Sequence, residues 1–391
     1  MRIGIVADDL TGAADAVAPF AMRGLSSAVS RGMFPGTVDC TPDALALNSS
    51  TRDWSNVRPT IITSTVRRAT RRLLECKRDL IYKKIDSTLR GFLRLELDAM
   101  RKELPGRLAV ICPSFPANGR TVEQGILSVS GVPQRRVRAA FEYEPDESAA
   151  EISLETLRQG EDNLASLLDR LTLQGISTLF CDATHPSDLQ ILAEALIRLP
   201  ERILPVGSAG LSGAIAAAGE SGDEKEAEFA REKARDAFRK GKVLILVGSQ
   251  HSASRRQAAV LAERAGITPV SDLNEGARQL QSGQRIALIL LEYEARHMMF
   301  FTNFFELQRA LIDLPDLCLI ATGGDTAASL MSYALYGCRG VTILGESHPG
   351  IVFGRLQGTN FPHKSLNGVP IMLKAGGFGD EETLARCVGL A

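Results

Sequence analysis

The chain has 391 residues, of which 45% are hydrophobic, 23% charged and only 17 are proline. Single hydrophobic cores rarely grow much beyond about 250 residues, so the length predicts two domains, and the composition excludes disordered and low-complexity classes. The 45 basic and 46 acidic side chains leave a formal charge of −1, without the electrostatic footprint of a general nucleic-acid binder.

The seven cysteines, Cys40, Cys76, Cys112, Cys181, Cys318, Cys338 and Cys387, are dispersed, odd in number and never spaced C-x-x-C. That pattern indicates neither a disulfide framework nor a zinc ribbon and predicts reduced, mostly buried thiols in a cytoplasmic protein. The opening apolar run meets two aspartates too early for a signal peptide, and the most apolar stretch, residues 203–219, is too short and interrupted to span a bilayer. Neither secretion nor a membrane role is expected.

Short β-rich apolar runs alternate with longer amphipathic or Ala-rich stretches, which predicts an α/β fold with mostly parallel sheets. In the first half the predicted strands are residues 2–7, 44–47, 80–85, 108–112, 177–181 and 203–206; in the second, 243–247, 286–291, 317–321, 341–344 and 369–374. Between the halves, a Gly/Ser hinge precedes a mixed-charge helix with few apolar anchors. The boundary is placed there, giving domains 1–222 and 243–391 joined by a charged helical linker, 223–242. Residues 135–160 read as a polar connection running into a helix.

Three strand ends of the first half carry chemistry. Residues 2–7 deliver the chain to Asp8-Asp9-Leu10-Thr11-Gly12, at the edge where open α/β sheets bind ligands. Helix capping by Asp9 or Thr11 explains one aspartate and leaves its neighbour unexplained. Next comes Lys83-Lys84-Ile85-Asp86-Ser87-Thr88-Leu89-Arg90-Gly91, where lysine and an arginine fork suit a carboxylate or phosphate and Asp86 and Ser87 suit sugar-like hydroxyls. The third, Pro116-Ala117-Asn118-Gly119-Arg120-Thr121, is a stiff turn rich in hydrogen-bonding groups. Together these suit a polyhydroxylated anion.

The second half instead offers glycine-hydroxyl turns: Gly248-Ser249-Gln250-His251-Ser252-Ala253-Ser254, Gly323-Gly324-Asp325-Thr326, Gly345 to Gly350, and Ala375-Gly376-Gly377-Phe378-Gly379-Asp380. Glycines let backbone amides approach phosphate oxygens, so four such turns at strand ends read as nucleotide-phosphate cradles. Neither a P-loop nor G-x-G-x-x-G is present, and His185, His251, His297, His348 and His363 have no zinc-ligand spacing.

Five ordered motifs, at Ala7 to Gly12, Lys83 to Gly91, Pro116 to Thr121, Gly323 to Thr326 and Lys374 to Gly379, resemble those of the four-carbon acid sugar kinases over almost the whole chain. The resemblance implies an N-terminal domain for the sugar acid and a C-terminal domain for ATP. It further implies transfer of the γ-phosphoryl group, in a cleft between the domains, to the terminal hydroxyl of threonate, erythronate or 3-oxo-tetronate. Mg²⁺ would bridge the phosphates. On the substrate side it assigns Lys84 and Arg90 to the acid's carboxylate, and Asp8, Asp9, Asp86, Ser87, Asn118, Gly119 and Arg120 to hydroxyls or orientation. On the nucleotide side it assigns Ser249, Ser254, Gly323, Gly324, Asp325, Thr326, Gly350, Gly376, Gly377, Phe378 and Gly379. Asp9 is the first candidate for general base, with Asp325 and Asp380 as rivals and Asp325 also a candidate for holding Mg²⁺ through water.

Two departures stand out: the Gly248 to Ser254 turn differs from the family's usual Gly-Ser-Cys-Ser type, and the aromatic segment 297–305 has the character of an adenine wall, core or oligomer surface. A sugar-acid isomerase or epimerase and a two-domain anion sensor are the competing functions, and the sequence leaves the stereoisomer, the metal ligands and the oligomeric state, a homo-oligomer included, open.

Overall fold

The computed structural model describes residues 1–31, 38–52, 57–143, 148–291, 311, 313–331, 338–358 and 366–391. In chain order its strands are β1 (Ile3–Ala7), β2 (Ser27–Ser30), β3 (Ala44–Asn48), β4 (Leu80–Lys84), β5 (Leu108–Cys112), β6 (Arg120–Glu123), β7 (Ile126–Val129), β8 (Val132–Arg136), β9 (Ala149–Ile152), β10 (Thr178–Cys181) and β11 (Ile203–Gly207). These are followed by β12 (Lys242–Val247), β13 (Ile286–Leu290), β14 (Leu317–Thr322), β15 (Cys338–His348), β16 (Ile351–Gly358) and β17 (Pro370–Lys374). They fall into two compact units, Met1–Ser26 with Arg31–Gly222, and Ser27–Ser30 with Asp223–Ala391.

In the first unit the strand order is β3-β1-β4-β11-β5-β10-β9, every pair parallel. Strands buried on both faces read as continuous apolar runs, and β1 (Ile-Gly-Ile-Val-Ala) and β5 (Leu-Ala-Val-Ile-Cys) are buried at every position. All six predicted strands of this half are present. The short β2 and β9 were not predicted, nor was the antiparallel sheet β6-β7-β8, whose last two residues reach into the expected polar connection. Its turns, Gln124-Gly125 and Ser130-Gly131, have positive φ at both residues, the geometry that matches hairpin twist.

The second unit orders its strands β13-β12-β14-β17-β16-β15-β2, parallel as far as β17 and antiparallel beyond it. The turn expected at Gly345 to Gly350 therefore does not lead from a strand into a helix. β15 runs through Gly345 and returns as β16, with Gly350 in the hairpin turn. Ser27–Ser30, far away in sequence, adds the last strand to this unit.

Two further expectations are corrected. The helix Glu224–Lys240, expected as part of a linker, belongs to the second unit: Phe238 is fully buried in its core, its ring centroid 5.9 Å from that of Phe353. Two of its apolar residues, Ala234 and Phe238, lie one turn apart on one buried face, which the high charge content masks. Nor are all cysteines reduced, for Cys40 and Cys76 form a disulfide. A separation of 36 residues in sequence carries no pairing signal. Cys112, Cys181 and Cys318 are buried as expected. Among the described residues no helix is long and apolar enough to cross a membrane. The aromatic segment 297–305 lies outside the described residues.

Truncating Phe238 to alanine is expected to cost about 3–5 kcal/mol in urea denaturation, as for a buried aromatic. A solvated linker helix would lose less than about 0.5 kcal/mol.

Candidate active site

The chain leaves β1 for β3 on one side and takes up β4 on the other, so the order of strands reverses at β1 and β4. Open parallel sheets leave a crevice beyond the carboxyl ends of strands at such a point. Ala7 and Lys84, the last residues of β1 and β4, are register partners, and the chain continues from them to Asp8-Asp9 and Ile85-Asp86.

Asp9 caps the helix Leu10–Met22, accepting from Gly12 N at 3.0 Å and Thr11 Oγ1 at 2.6 Å. Asp8 takes no part in the cap. Arg52 grips it as a fork, donating from Nε to Oδ2 at 2.8 Å and from Nη2 to Oδ1 at 2.7 Å. The same Nη2 lies 2.7 Å from Asp9 Oδ1, and Nη1 lies 3.9 Å from Asp86 Oδ1. One guanidinium thus organises three buried carboxylates. Sequence reasoning missed Arg52, although Ser49-Ser50-Thr51-Arg52 is a polar segment at the end of β3 of the same kind as those it did single out.

Burial pushes the Asp8 carboxyl up, but Arg52, with Lys83 and Lys84 behind it, holds it below the ordinary carboxylate value. Burial opposes ionisation of Asp86 likewise, and there the Arg90 and Arg52 guanidiniums and the Thr88 hydroxyl win, leaving it well below that value. The Arg52 guanidinium is stabilised in turn by Asp9 and Asp8 against its own burial.

Lys83 and Lys84 part company. Lys83 is fully buried and pairs with Glu96, Nζ to Oε2 2.6 Å, a closed internal pair. Lys84 donates to Ile85 O at 2.8 Å and has no ion pair among the described residues. A side chain at Gly12 would collide with Asp9 Oδ1, and its Cβ would lie 3.1 Å from Lys84 Nζ and 3.5 Å from Arg52 Nη2. Because Gly12 has none, carboxylate, ammonium and guanidinium border a space free of side chain.

Arg90, expected to face a ligand carboxylate, has two of its donors engaged by Asp86, Nε to Oδ2 and Nη2 to Oδ1 both at 2.9 Å. Ser87 is half-buried in the same turn. The turn at Pro116–Asn118 is a single 3₁₀ turn ended by Gly119 at φ 68°, and the Asn118 Nδ2 is buried without a hydrogen-bond partner. Arg120 starts β6, and Arg135 of β8 donates to the Thr88 and Leu89 carbonyls, which ties this small sheet to the 86–91 turn.

The second unit repeats the reversal of strand order at β12 and β14. The turns after β12, β14 and β17 meet around Ser249. A Cβ at Gly376 would overlap Ser249 Oγ, one at Gly323 would lie 3.4 Å from Ser249 Cβ, and one at Gly377 would lie 3.1 Å from His251 Nε2. Gly350 joins the cluster by packing on the Phe378 ring and accepting from Ala375 N at 2.8 Å. Gly324 and Asp325 open the helix Gly324–Ser329, with Asp325 exposed and Thr326 buried.

Two candidates have other duties. Ser254 is fully buried and donates to Gly376 O at 2.7 Å, while Gln257 donates to the Phe378 and Asp380 carbonyls, so the helix Ser252–Ala265 pins the glycine loop from beneath. Asp380, 65% exposed, accepts from Glu382 N and Thr383 Oγ1 and pairs with Arg386. It is a helix-end cap, held below its ordinary value by Arg386, and lacks the burial of a catalytic base.

Replacing Arg52 by methionine strips Asp8 and Asp9 of their guanidinium in the interior, while Asp86 keeps the Arg90 fork, with an expected loss of about 3–5 kcal/mol at pH 7. In the native protein the depressed Asp8 and Asp86 contribute stability that is fully present above the unfolded value of 3.8 and lost as pH falls through their folded values. Without Arg52, burial raises Asp8 instead, so the variant should gain stability between pH 7 and pH 5. Urea titrations at the two pH values check the sign. A loss under about 1 kcal/mol, equal at both, would remove Arg52 from this role.

Family models match nearly the full chain: a sugar-binding N-terminal domain over residues 3–215 and a nucleotide-binding C-terminal domain over 214–384. The chain is 32% identical to a D-threonate kinase of Cupriavidus necator, covering 97% of this chain and 95% of that one. It is 30% identical to a D-threonate kinase of Bordetella bronchiseptica, covering 98% and 96%. A crystal structure of a Salmonella typhimurium protein, 22% identical, shares the fold with a TM-score of 0.73 over 98% of both chains. With its five motifs at the strand ends of two α/β units and both domain models matched in order, the chain belongs to the four-carbon acid sugar kinase family.

Proposed function

We propose that this protein transfers the γ-phosphoryl group of Mg·ATP to the terminal hydroxyl of a four-carbon sugar acid of the threonate, erythronate or 3-oxo-tetronate type. The observation that carries the proposal is the space above Gly12, bordered by Lys84, Arg52 and Asp9. Lys84 is buried, and its backbone bond to Ile85 O leaves two donors for a carboxylate. Arg90 orients Asp86 rather than binding the acid itself. Asp8, Asp9 and Asp86 accept from hydroxyls, and the unpartnered Asn118 Nδ2 donates to one.

On the second unit, backbone amides of Gly324, Gly376 and Gly377 face the phosphates, with Ser249 among them and Gly323 giving them room. Thr326 and Ser254 hold these turns together. Among the described residues no group of three or more His, Cys, Asp or Glu is placed to hold a metal ion by itself. That fits Mg²⁺, which is held mostly by phosphate oxygens and water with one or two carboxylates. Asp325 is the residue suited to hold it; when bound, the ion neutralises phosphate charge.

Phosphoryl transfer passes through a loose transition state, so the acceptor's proton need not leave early and the protein mainly positions and neutralises. Asp9 Oδ2 accepts from Thr11 and retains a lone pair for the attacking hydroxyl. Asparagine is as good a helix cap as aspartate, so Asp9→Asn separates capping from charge. It should keep the melting temperature within a few degrees and lower kcat by about 10²–10⁴, with KM for the acid changed far less. An unimpaired kcat would remove Asp9 as the base.

The reaction itself is tested by ADP release with Mg·ATP and each isomer of threonate, erythronate and 3-oxo-tetronate, with mass spectrometry of the product. The expected result is one phosphorylated acid. ATP left unconsumed across the whole panel would overturn the proposal.

A further inference from the structure

Among the described residues two lysines are 0% exposed, and their surroundings differ. Lys83 has Glu96 at 2.6 Å and also donates to Lys84 O at 2.9 Å. Lys374, the last residue of β17, makes one hydrogen bond, to Ala375 O at 3.1 Å, and has no carboxylate at ion-pair distance among the described residues. An ammonium has three donors, so two donors and the charge itself are left without a protein partner in the interior. Burial pulls this ammonium down to about 8. The titratable group felt from the C-terminal helix Thr383–Cys387 is Cys387, whose thiol burial pushes up to about 11 and so keeps uncharged at neutral pH.

The register partner of Lys374 is Thr322, the last residue of β14, and it too is fully buried, with Oγ1 making no hydrogen bond. Register partners on adjacent strands, about 4.8 Å apart, direct their side chains to the same face of the sheet. Gly323 N donates to Lys374 O at 2.8 Å, which locks the starts of the two glycine turns side by side. A buried polar atom without a partner is rare in a native protein, and a buried charge without one is rarer. Both occur here in adjacent positions, Thr322 directly before Gly323-Gly324 and Lys374 one residue short of Gly376-Gly377, where a phosphate chain would satisfy both.

We infer that Lys374 and Thr322 form the floor of the phosphate site on the second unit, the lysine supplying its positive charge and the threonine a hydroxyl to the polyphosphate of the nucleotide. The inference rests on the kinase reading above. Lys374 is a binding and positioning residue, kept unpaired so that the ligand completes it. It therefore lowers the stability of the free protein and raises affinity for the ligand, which a structural lysine does not do.

The test uses the full chain with Lys374→Met, which keeps the length of the stem and removes the charge, and Thr322→Val, which keeps the shape and removes the hydroxyl. Free Lys374→Met is expected to melt above the wild type. Calorimetric titration should show its affinity for Mg·ADP and Mg·ATP reduced at least tenfold and its affinity for adenosine within twofold of wild type. Thr322→Val should lose threefold or more for ADP and ATP. A Lys374→Met protein that melts lower or fails to fold makes the lysine structural and overturns the inference. If the wild type binds ADP and ATP and Lys374→Met binds them equally well, the inference falls while the nucleotide reading stands. If the wild type itself binds neither nucleotide, both fall together.

Discussion

The carboxylates carried into the interior of the first unit meet their opposite charge there, and the edge of that unit is arranged around this requirement. Asp8, Asp9 and Asp86 are each less than a tenth exposed, and water does not solvate them. Arg52 reaches all three, and Arg90 closes on the third. Taken singly, such pairs add little net stability, because desolvation offsets the attraction. What they fix is direction: a carboxylate held from two sides by a guanidinium fork presents its remaining lone pairs along defined lines. The pairing of Lys83 with Glu96 serves the same end from below, since it removes one of two adjacent lysines from the ligand's reach and leaves Lys84.

Backbone geometry explains why these groups collect where they do. Parallel strands are apolar along their length because both faces are covered, and polar residues are admitted only where the chain emerges. At a reversal of strand order two emerging chains diverge and leave room between them. Both units use this device, with different side chains. The first unit fills the edge with charged groups spaced around Gly12, and the second strips its edge to glycine, so that Ser249 and His251 pack against bare backbone.

Much of this was legible in the sequence, for identifiable reasons. Continuous apolar runs such as Leu108–Cys112 and Leu317–Thr322 announce buried parallel strands, and the polar and glycine residues that follow mark out the candidate site. Ser27–Ser30 was illegible because four residues with two serines have no periodicity to detect, and because the strand belongs to a unit otherwise built from residues beyond 222. The hairpins of residues 120–136 did carry a signal, Gln-Gly and Ser-Gly at their turns, obscured by exposed polar strands. Arg52 was missed because an isolated arginine looks like any surface arginine; only the fold reveals that three aspartates from two other strand ends converge on it. Asp380 was over-read for the converse reason, since an aspartate after glycines resembles a ligand when it is a cap.

The contrast between the two edges bears on selectivity. Backbone amides read the charge and spacing of phosphate oxygens and nothing of stereochemistry, so the second unit suits the part of the reaction that is the same for every acceptor. Telling one four-carbon acid from its epimer means recognising the direction of a single hydroxyl. A site whose buried acceptors are already oriented penalises the wrong epimer by leaving one of them unpaired, a stronger discrimination than apolar contact provides. On the proposed assignment, the side chains able to impose that penalty are the acceptors Asp8, Asp9 and Asp86 and, as a donor, Asn118. The first three are aimed by Arg52 and Arg90, so changes of specificity should arise at the residues that turn these acceptors, before they arise at the acceptors themselves.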